Sequence, residues 1–309
     1  MANANLRGAS IKRLIVLLAF LVFSVSAFSQ TATTQPVFTT NKVETVKLES
    51  KLLSSTVSYN VVLPVDYDKS QDKRVTYPVL YLLHGLTGHY SDWTQKTRLA
   101  EYANQYRMII VTPEGNDGWY TDSATIPTDK YETYFVQELI PDVQRRFRTK
   151  SSREARAIAG LSMGGYGALK FGIKYREMFV FAASFSGALS VASWTPTDSS
   201  QSPARLRSVT SVFGPSNSAT RQANDLLKLY GSVGDDDIPA LPFIYLDCGT
   251  EDNFLPANRA FEHILFERKI PHEFRVLPGG HSWSYWDRQV IEVLRIASKL
   301  LKPAEQITH

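Results

Sequence analysis

The sequence predicts an α/β fold with a mostly parallel central sheet, an antiparallel edge at its N-terminal side and helices on both faces. Three observations lead to this prediction. Short apolar runs of strand length alternate with helical segments along most of the chain. Several of these runs are apolar at every position, which is typical of strands covered on both faces. The first two strand-like segments, residues 43–48 and 57–63, instead roughly alternate apolar and polar side chains, as strands with one solvated face do.

The remaining elements follow in order, and each is placed by its apolar pattern. Strands are predicted at residues 78–83, 108–111, 156–159, 179–185, 243–246 and 273–277. Helices are predicted at residues 97–106, 131–147 with a kink at Pro141, after residue 167, at 256–269 and from 286 to 301.

Residues 189–237 interrupt this rhythm with a polar loop and short helices near 205–212 and 221–230. An insertion at this place is expected over the carboxyl edge of the sheet, where it helps to form a pocket wall. The alternative is a solvated excursion without a role in binding. Residues 42–303 are therefore expected to form a single α/β domain that carries this insertion.

Residues 1–29 are expected to be a cleaved signal peptide. Three basic residues lie within the first 13 positions, an apolar run covers 14–23, and small residues occupy positions 27 and 29. The apolar run is short for a membrane-spanning helix, although an uncleaved anchor is the alternative. Residues 30–41 then read as a polar, flexible leader. This pattern predicts a secreted or periplasmic protein without stable membrane association after cleavage.

Charge and composition exclude several classes of partner and cofactor. The chain has 34 basic and 30 acidic residues, a net charge of +4, and three of the basic residues precede position 30. The rest is close to neutral, so no nucleic-acid partner is expected. Cys248 is the only cysteine, which rules out an intramolecular disulfide. The chain contains no CxxC, no HExxH and no other metal-ligand motif, and we expect neither a metal nor another cofactor.

The first chemical signal is the segment Gly160-Leu161-Ser162-Met163-Gly164. It fits the G-x-S-x-G nucleophile elbow, in which glycines flank a strained serine because a Cβ there would collide with neighbouring backbone. A strand-like run precedes it and a helix-like run follows it, so the Ser162 hydroxyl is expected at the sheet edge, near the amides that begin the helix. The alternative is a glycine-rich turn with a bystander serine.

A nucleophilic serine needs a base, and the base needs an acid that orients it. Among the histidines that follow Ser162, only His281 lies in a loop after the last predicted strand, next to two glycines. We predict His281 as the general base, against a structural histidine that caps the last helix. For the acid, the loop at 247–253 offers three carboxylates, and Asp252 at its tip is preferred over Asp247 and Glu251. The alternative for Asp252 is a carboxylate at a helix N-terminus.

The negative charge that develops on an ester carbonyl needs two hydrogen-bond donors. The residue after the nucleophile supplies one backbone amide, here Met163. The loop after the first buried strand supplies the other, and we predict the amide of Leu86 in the segment His84-Gly85-Leu86-Thr87-Gly88.

With these motifs, the chain resembles the esterase D, feruloyl esterase and antigen 85 (mycolyltransferase-like) group of α/β-hydrolases, and most of all its bacterial tributyrin-esterase-like members. The matching segments are residues 82–85 (LLHG), 116–122 (NDGWYTD), 138–141 (ELIP), 159–165 (AGLSMGG), 247–252 (DCGTED) and 280–281 (GH). They cover nearly all of the chain after the leader. They are specific for the group but not for a substrate.

The resemblance implies an α/β-hydrolase fold with Ser162, Asp252 and His281 as a catalytic triad. It also implies that the Leu86 and Met163 amides form the oxyanion hole and that Trp119 and Tyr120 line the site. Tryptophans near the motif loops, Trp283 in particular, are candidates for stacking on a ring or sugar, and core packing is the alternative.

The first expectation is a secreted serine carboxylesterase that works through an acyl-enzyme on short acyl or phenolic esters, such as feruloyl or acetyl groups on polysaccharides. Acyl transfer of the mycolyltransferase type is the second, because the same triad serves both reactions. Hydrolysis of S-formylglutathione is a third, although a signal peptide disagrees with a cytosolic thioester. A non-enzymatic binding module on the same scaffold is the alternative from another class.

Overall fold

The computed structural model describes residues 41–68, 75–195, 197–199, 201–303 and 305–306. These residues belong to one compact unit. The strands of the described chain are β1 (Val43–Ser50), β2 (Ser55–Val62), β3 (Val75–Thr76), β4 (Val79–Leu83), β5 (Ile109–Pro113), β6 (Arg156–Leu161), β7 (Phe181–Phe185), β8 (Phe243–Gly249), β9 (His272–Leu277) and β10 (Glu305–Gln306).

Eight of these strands form one sheet in the order β1-β2-β5-β4-β6-β7-β8-β9. The pairs β1–β2 and β2–β5 are antiparallel, and the other five pairs are parallel. The sheet therefore confirms the predicted mostly parallel arrangement with an antiparallel N-terminal edge. Because parallel strands end at the same edge, the loops that follow β4, β5, β6, β8 and β9 are brought together there.

Helices cover both faces of the sheet, as predicted. They are α1 (Asp92–Lys96), α2 (Leu99–Tyr102), α3 (Tyr131–Tyr134), α4 (Ile140–Arg146), α5 (Met163–Lys174), α6 (Pro203–Phe213), α7 (Ala219–Ala223), α8 (Leu226–Gly231), α9 (Leu255–Glu267) and α10 (Trp283–Leu300). Strand β4 shows how the two faces divide. Leu80 and Leu82 pack in the cluster that includes Val290 of α10, whereas Tyr81 and Leu83 pack in the cluster that includes Leu169 of α5.

Several predicted elements differ in detail from the structure. The helix predicted at 97–106 is shorter and is preceded by α1, which the pattern did not indicate. The helix predicted at 131–147 is present, and a π-helical turn at Phe135–Leu139 precedes Pro141 near the start of α4. This position agrees with the predicted disturbance, because proline lacks an amide for the helical ladder. The small antiparallel pair of β3 and β10 was not predicted.

The predicted signal peptide and all but the last residue of the predicted leader lie outside the described residues. Among the residues that the structure describes, no helix is both long enough and apolar enough to cross a membrane.

Candidate active site

Ser162 lies at the sharp corner between β6 and α5. Its backbone angles, φ 54° and ψ −115°, are strained for a residue with a side chain. The flanking glycines permit this turn: a Cβ at Gly160 would lie 2.4 Å from the carbonyl oxygen of Gly164, and a Cβ at Gly164 would lie 2.5 Å from that of His84. The local sequence therefore folds into the elbow that the G-x-S-x-G pattern predicts.

His281 and Asp252 complete a hydrogen-bonded chain with this serine. The Ser162 hydroxyl lies 3.0 Å from Nε2 of His281, and Nδ1 of His281 lies 2.9 Å from Oδ2 of Asp252. Because a carboxylate only accepts, Nδ1 carries the hydrogen and Nε2 is free to accept the serine proton. The loops after β6, β8 and β9 thus bring together three residues that are distant in sequence.

The surroundings of Asp252 favour its charged form. Burial alone would raise the pKa of this carboxyl, but the hydrogen bond and charge of His281 and the amide of Phe254 outweigh it and lower the pKa. The Phe254 amide donates to the second oxygen, Oδ1, over 2.8 Å. Asp252 therefore presents a fixed negative charge to Nδ1 of His281.

Aromatic rings hold the imidazole from two sides. The ring centroid of His281 lies 5.0 Å from that of Phe254 and 4.9 Å from that of Trp286, both in edge-to-face geometry. This packing restricts the rotation of the imidazole, which stays aligned with Ser162 and Asp252.

A cleft of about 450 Å³ opens over Ser162 and His281. Its lining includes Leu86 from the loop after β4. The 189–237 insertion contributes residues on and next to α6, namely Ser202, Ala204, Arg205 and Ser208. The insertion therefore forms part of the cleft wall.

The amides predicted to bind the oxyanion flank the serine. Leu86 lines the cleft together with Ser162, and Met163 is the first residue of α5. Within the described part of the chain, neither the Leu86 nor the Met163 amide donates a hydrogen bond to another protein group. Both donors are thus available to a ligand, while the Met163 side chain is buried in the core.

The three aromatic residues predicted to contact substrate occupy different positions. Trp283 lines the cleft, with Nζ of Lys96 5.1 Å from its ring centroid. Trp119 also lines the cleft but is only 1% exposed, and its Nε1 donates to Ser208. Tyr120 is equally buried and is not among the residues that line the cleft; its hydroxyl donates to the carbonyl oxygen of His84 over 3.1 Å.

Other lining residues were missed at the level of sequence. The guanidinium of Arg205 lies 5.4 Å from the ring centroid of Phe254, and Asp92 forms an ion pair of 2.9 Å with Lys96 at another part of the wall. Phe254 follows two positions after Asp252, so its place next to the loop that carries the predicted acid could have marked it as a lining residue. Arg205 carried no such signal, because nothing in a polar insertion marks which residue turns inward.

Comparison with known proteins gives the family. The Esterase family model, described as "Putative esterase", matches residues 50–296. The chain belongs to this esterase family. The esterase is 31% identical over 265 residues to the acetyl esterase of Caldicellulosiruptor saccharolyticus, across 82% of this chain and 97% of that protein. It is 27% identical over 245 residues to the diacylglycerol acyltransferase/mycolyltransferase Ag85A of Mycobacterium tuberculosis, across 69% of this chain and 70% of that protein.

A solved structure adds to these relatives. The esterase superposes on a ferulic acid esterase with a TM-score of 0.71 and 29% identity, across 84% of this chain and 98% of that chain. These findings confirm the resemblance to the esterase D, feruloyl esterase and antigen 85 group and confirm the α/β-hydrolase fold. The esterase is a carboxylic ester hydrolase.

Proposed function

We propose that the esterase is a secreted serine carboxylesterase that uses Ser162 as nucleophile, His281 as general base and Asp252 as orienting acid. The observation that carries this proposal is the hydrogen-bonded chain Ser162–His281–Asp252, of which Ser162 and His281 line the cleft. Its order and hydrogen-bonding pattern match what an activated serine needs.

The chemistry proceeds in two halves. The Ser162 oxygen attacks the ester carbonyl while its proton passes to Nε2 of His281, and the Leu86 and Met163 amides bind the carbonyl oxygen as it becomes negative. His281 then returns the proton to the alcohol oxygen as the carbon–oxygen bond breaks, which leaves an acyl group on Ser162. Water repeats the sequence with His281 as base, and the acid and free serine are released.

Short acyl or phenolic esters, such as acetyl or feruloyl groups on polysaccharides, are the substrates we propose. The cleft supports this class, because Trp283, Trp286 and Phe254 provide apolar surface beside His281 while Arg205 and Asp117 provide polar groups. The names of the acetyl esterase and ferulic acid esterase relatives agree with it.

Export is supported by the signal-like pattern of residues 1–29. N-terminal sequencing of the exported protein should find a start near Gln30.

The Ser162→Ala variant tests the serine mechanism. We expect it to fold normally and to lose hydrolysis of p-nitrophenyl acetate, because Ser162 supplies the hydroxyl that is hydrogen-bonded to Nε2 of His281. Initial rates on p-nitrophenyl acetate, butyrate and octanoate, methyl ferulate and acetylated xylan would define the substrate class, with the variant as blank. Turnover retained by the folded variant would refute the proposal.

A second experiment, product analysis with a sugar acceptor, separates hydrolysis from acyl transfer, the activity in the name of the Ag85A relative. In a transferase, a sugar hydroxyl replaces water in the second half of the reaction. Products formed in the presence of trehalose or xylan therefore decide between the two. Acylated sugar as the main product, with little free acid, would favour the transferase.

A further inference from the structure

We propose that His84 and Glu114 are positioning residues that hold the Gly85–Leu86 peptide in the orientation an oxyanion donor needs. Neither side chain lines the cleft, and both are buried, with 1% and 8% exposure. The inference rests on the proposed function, in which the Leu86 amide binds the negatively charged oxygen.

The carbonyl of Gly85 is held by two donors, one of which belongs to the buried His84 ring. Nδ1 of His84 lies 2.8 Å from this oxygen, and the amide of Gly88 donates to it over 3.0 Å. In a trans peptide the carbonyl and the following amide point in opposite directions. Fixing the Gly85 oxygen inward therefore directs the Leu86 amide outward, where Leu86 lines the cleft with Ser162.

The His84 ring is itself held in the tautomer that this arrangement needs. A carbonyl oxygen only accepts, so Nδ1 must carry the hydrogen. The amide of Gly115 donates to Nε2 over 2.9 Å and Oε1 of Glu114 lies 3.2 Å from the same nitrogen, so the hydrogen on Nδ1 is assigned by its contact with the Gly85 carbonyl. A donor on the Gly85 carbonyl also polarises that peptide and strengthens its amide as a donor.

Glu114 joins the two loops that contribute to this arrangement. Its Oε1 accepts from the amides of Asn116 over 2.9 Å and Gly115 over 3.2 Å, and its Oε2 accepts from the amide of Tyr90 over 3.3 Å. Tyr90 belongs to the loop after β4 that carries Leu86, and Gly115 belongs to the loop after β5. The buried Glu114 carboxylate therefore links the loop after β4 to the loop after β5. This link keeps the Gly115 amide next to Nε2 of His84.

The charge of Glu114 is present throughout the neutral range. Burial would raise the pKa of this carboxyl, but the adjacent His84 ring and the amides of Asn116 and Tyr90 outweigh it and lower the pKa to about 2. The carboxylate therefore accepts all of these hydrogen bonds at any pH at which His281 can act as a base.

Two substitutions of His84 test the proposal. Asparagine places an amide donor close to the position of Nδ1, whereas alanine places none. We expect His84→Ala to lower kcat about 10- to 100-fold with KM changed less than about twofold, because a misdirected donor affects the transition state more than substrate binding. His84→Asn should recover most of this loss. A trifluoromethyl ketone adds to the serine and forms an oxyanion there. Its dissociation constant should rise in His84→Ala by the same factor by which kcat/KM falls.

Glu114→Gln provides a second variant that keeps the shape of the side chain. The side-chain NH₂ of the glutamine would replace one carboxylate oxygen and could not accept a hydrogen bond from the backbone N–H that this oxygen now binds. We therefore expect kcat to fall about 3- to 10-fold with KM unchanged. Glu138→Gln is the matched control. Glu138 also accepts from two backbone amides, those of Lys51 at 3.0 Å and Leu52 at 3.2 Å, but it does not line the cleft. This control should lower stability without changing kcat.

The outcomes separate this inference from the proposed function. If Ser162→Ala is inactive while folded His84→Ala and Glu114→Gln keep kcat and ketone affinity within twofold of the parent, the positioning role is wrong and the serine mechanism stands. If Ser162→Ala retains activity, the proposed function fails first. Equal losses of kcat in Glu114→Gln and Glu138→Gln would also overturn the inference, since they would indicate a general effect of stability.

Discussion

Each member of the proposed triad depends on a local feature of its own loop. Ser162 depends on flanking glycines at which a Cβ would clash with backbone, His281 on two rings that restrict its rotation, and Asp252 on the amide of Phe254. The loop at 247–253 offered three carboxylates in sequence, and the structure distinguishes them. Asp247 is fully buried on β8, Glu251 is exposed, and Asp252 is the one bonded to His281.

An Asp252→Asn substitution tests the orienting role. An asparagine amide can donate to Nδ1, which would move the imidazole hydrogen to Nε2 and leave no acceptor for the Ser162 proton. We expect kcat for p-nitrophenyl acetate to fall about 10³- to 10⁴-fold near neutral pH. Glu251→Gln, at the adjacent exposed position, is the control and should stay near the parent rate. A loss below about tenfold in Asp252→Asn would show that this carboxylate does not set the tautomer.

At the scale of elements, helix α5 is tied to the loop after β5 through a buried lysine. Lys170 is fully buried, and its Nζ donates to the carbonyl of Tyr120, to the Thr121 hydroxyl at 2.8 Å and to Oε2 of Glu132 at 2.7 Å. Trp119 and Tyr120 both have positive φ, which is strained for aromatic residues. The lysine therefore stabilises a strained loop that passes directly behind the cleft.

We expect Lys170→Met to lower the free energy of unfolding by about 3–5 kcal/mol, because it leaves Glu132 buried with a weaker partner. Combining it with Glu132→Gln should cost less than the sum of the two single changes. Urea unfolding of the single and double variants measures this coupling. Lys174→Met is the control, since Lys174 contacts the same carboxylate but is 28% exposed. A loss under about 1 kcal/mol in Lys170→Met would contradict the prediction.

Element boundaries show where pattern reasoning works and where it stops. Buried strands such as β4 were predicted almost to the residue, because a run of five apolar side chains has few alternatives in a covered sheet. Helix α1 was missed, since its five residues include the charged pair Asp92 and Lys96 and only Trp93 marks an apolar face. Short elements of this kind are held by tertiary contacts, here the Trp93 indole donating to the Leu83 carbonyl.

At the scale of the whole molecule, strand order determines which residues meet. The sequence predicted the Ser162 hydroxyl at the sheet edge with His281 and Asp252 as its partners, and the three residues do lie together there. The sequence did not predict as well which neighbouring side chains face the cleft. Trp119 and Tyr120 are adjacent in sequence, yet only Trp119 lines the cleft, because their unusual backbone angles decide the direction of each side chain.

A second feature of the whole molecule is a buried carboxyl, Asp247, without a hydrogen-bond partner among the described residues. Asp247 is fully buried on β8, the strand next to the β9 edge of the sheet, and neither carboxyl oxygen has a hydrogen-bond partner among the described residues. Burial raises the pKa of Asp247 to about 8, although the nearby hydroxyls of Tyr285 and Tyr245 and the charge of Arg275 oppose this change. The folded protein therefore holds a proton on Asp247 at neutral pH.

This proton makes the stability of the whole fold depend on pH. Between about pH 4 and pH 8 the folded state keeps a proton that the unfolded chain releases from Asp247, so the free energy of unfolding falls as pH rises, by up to about 1.4 kcal/mol per pH unit. Asp247→Asn removes this contribution, and the variant should be more stable than the parent at pH 8 by a margin that shrinks toward pH 4. Urea unfolding across this range measures the margin, with exposed Asp236→Asn as the control. Parallel pH profiles for Asp247→Asn and the parent would show that Asp247 is not protonated in the folded protein at neutral pH.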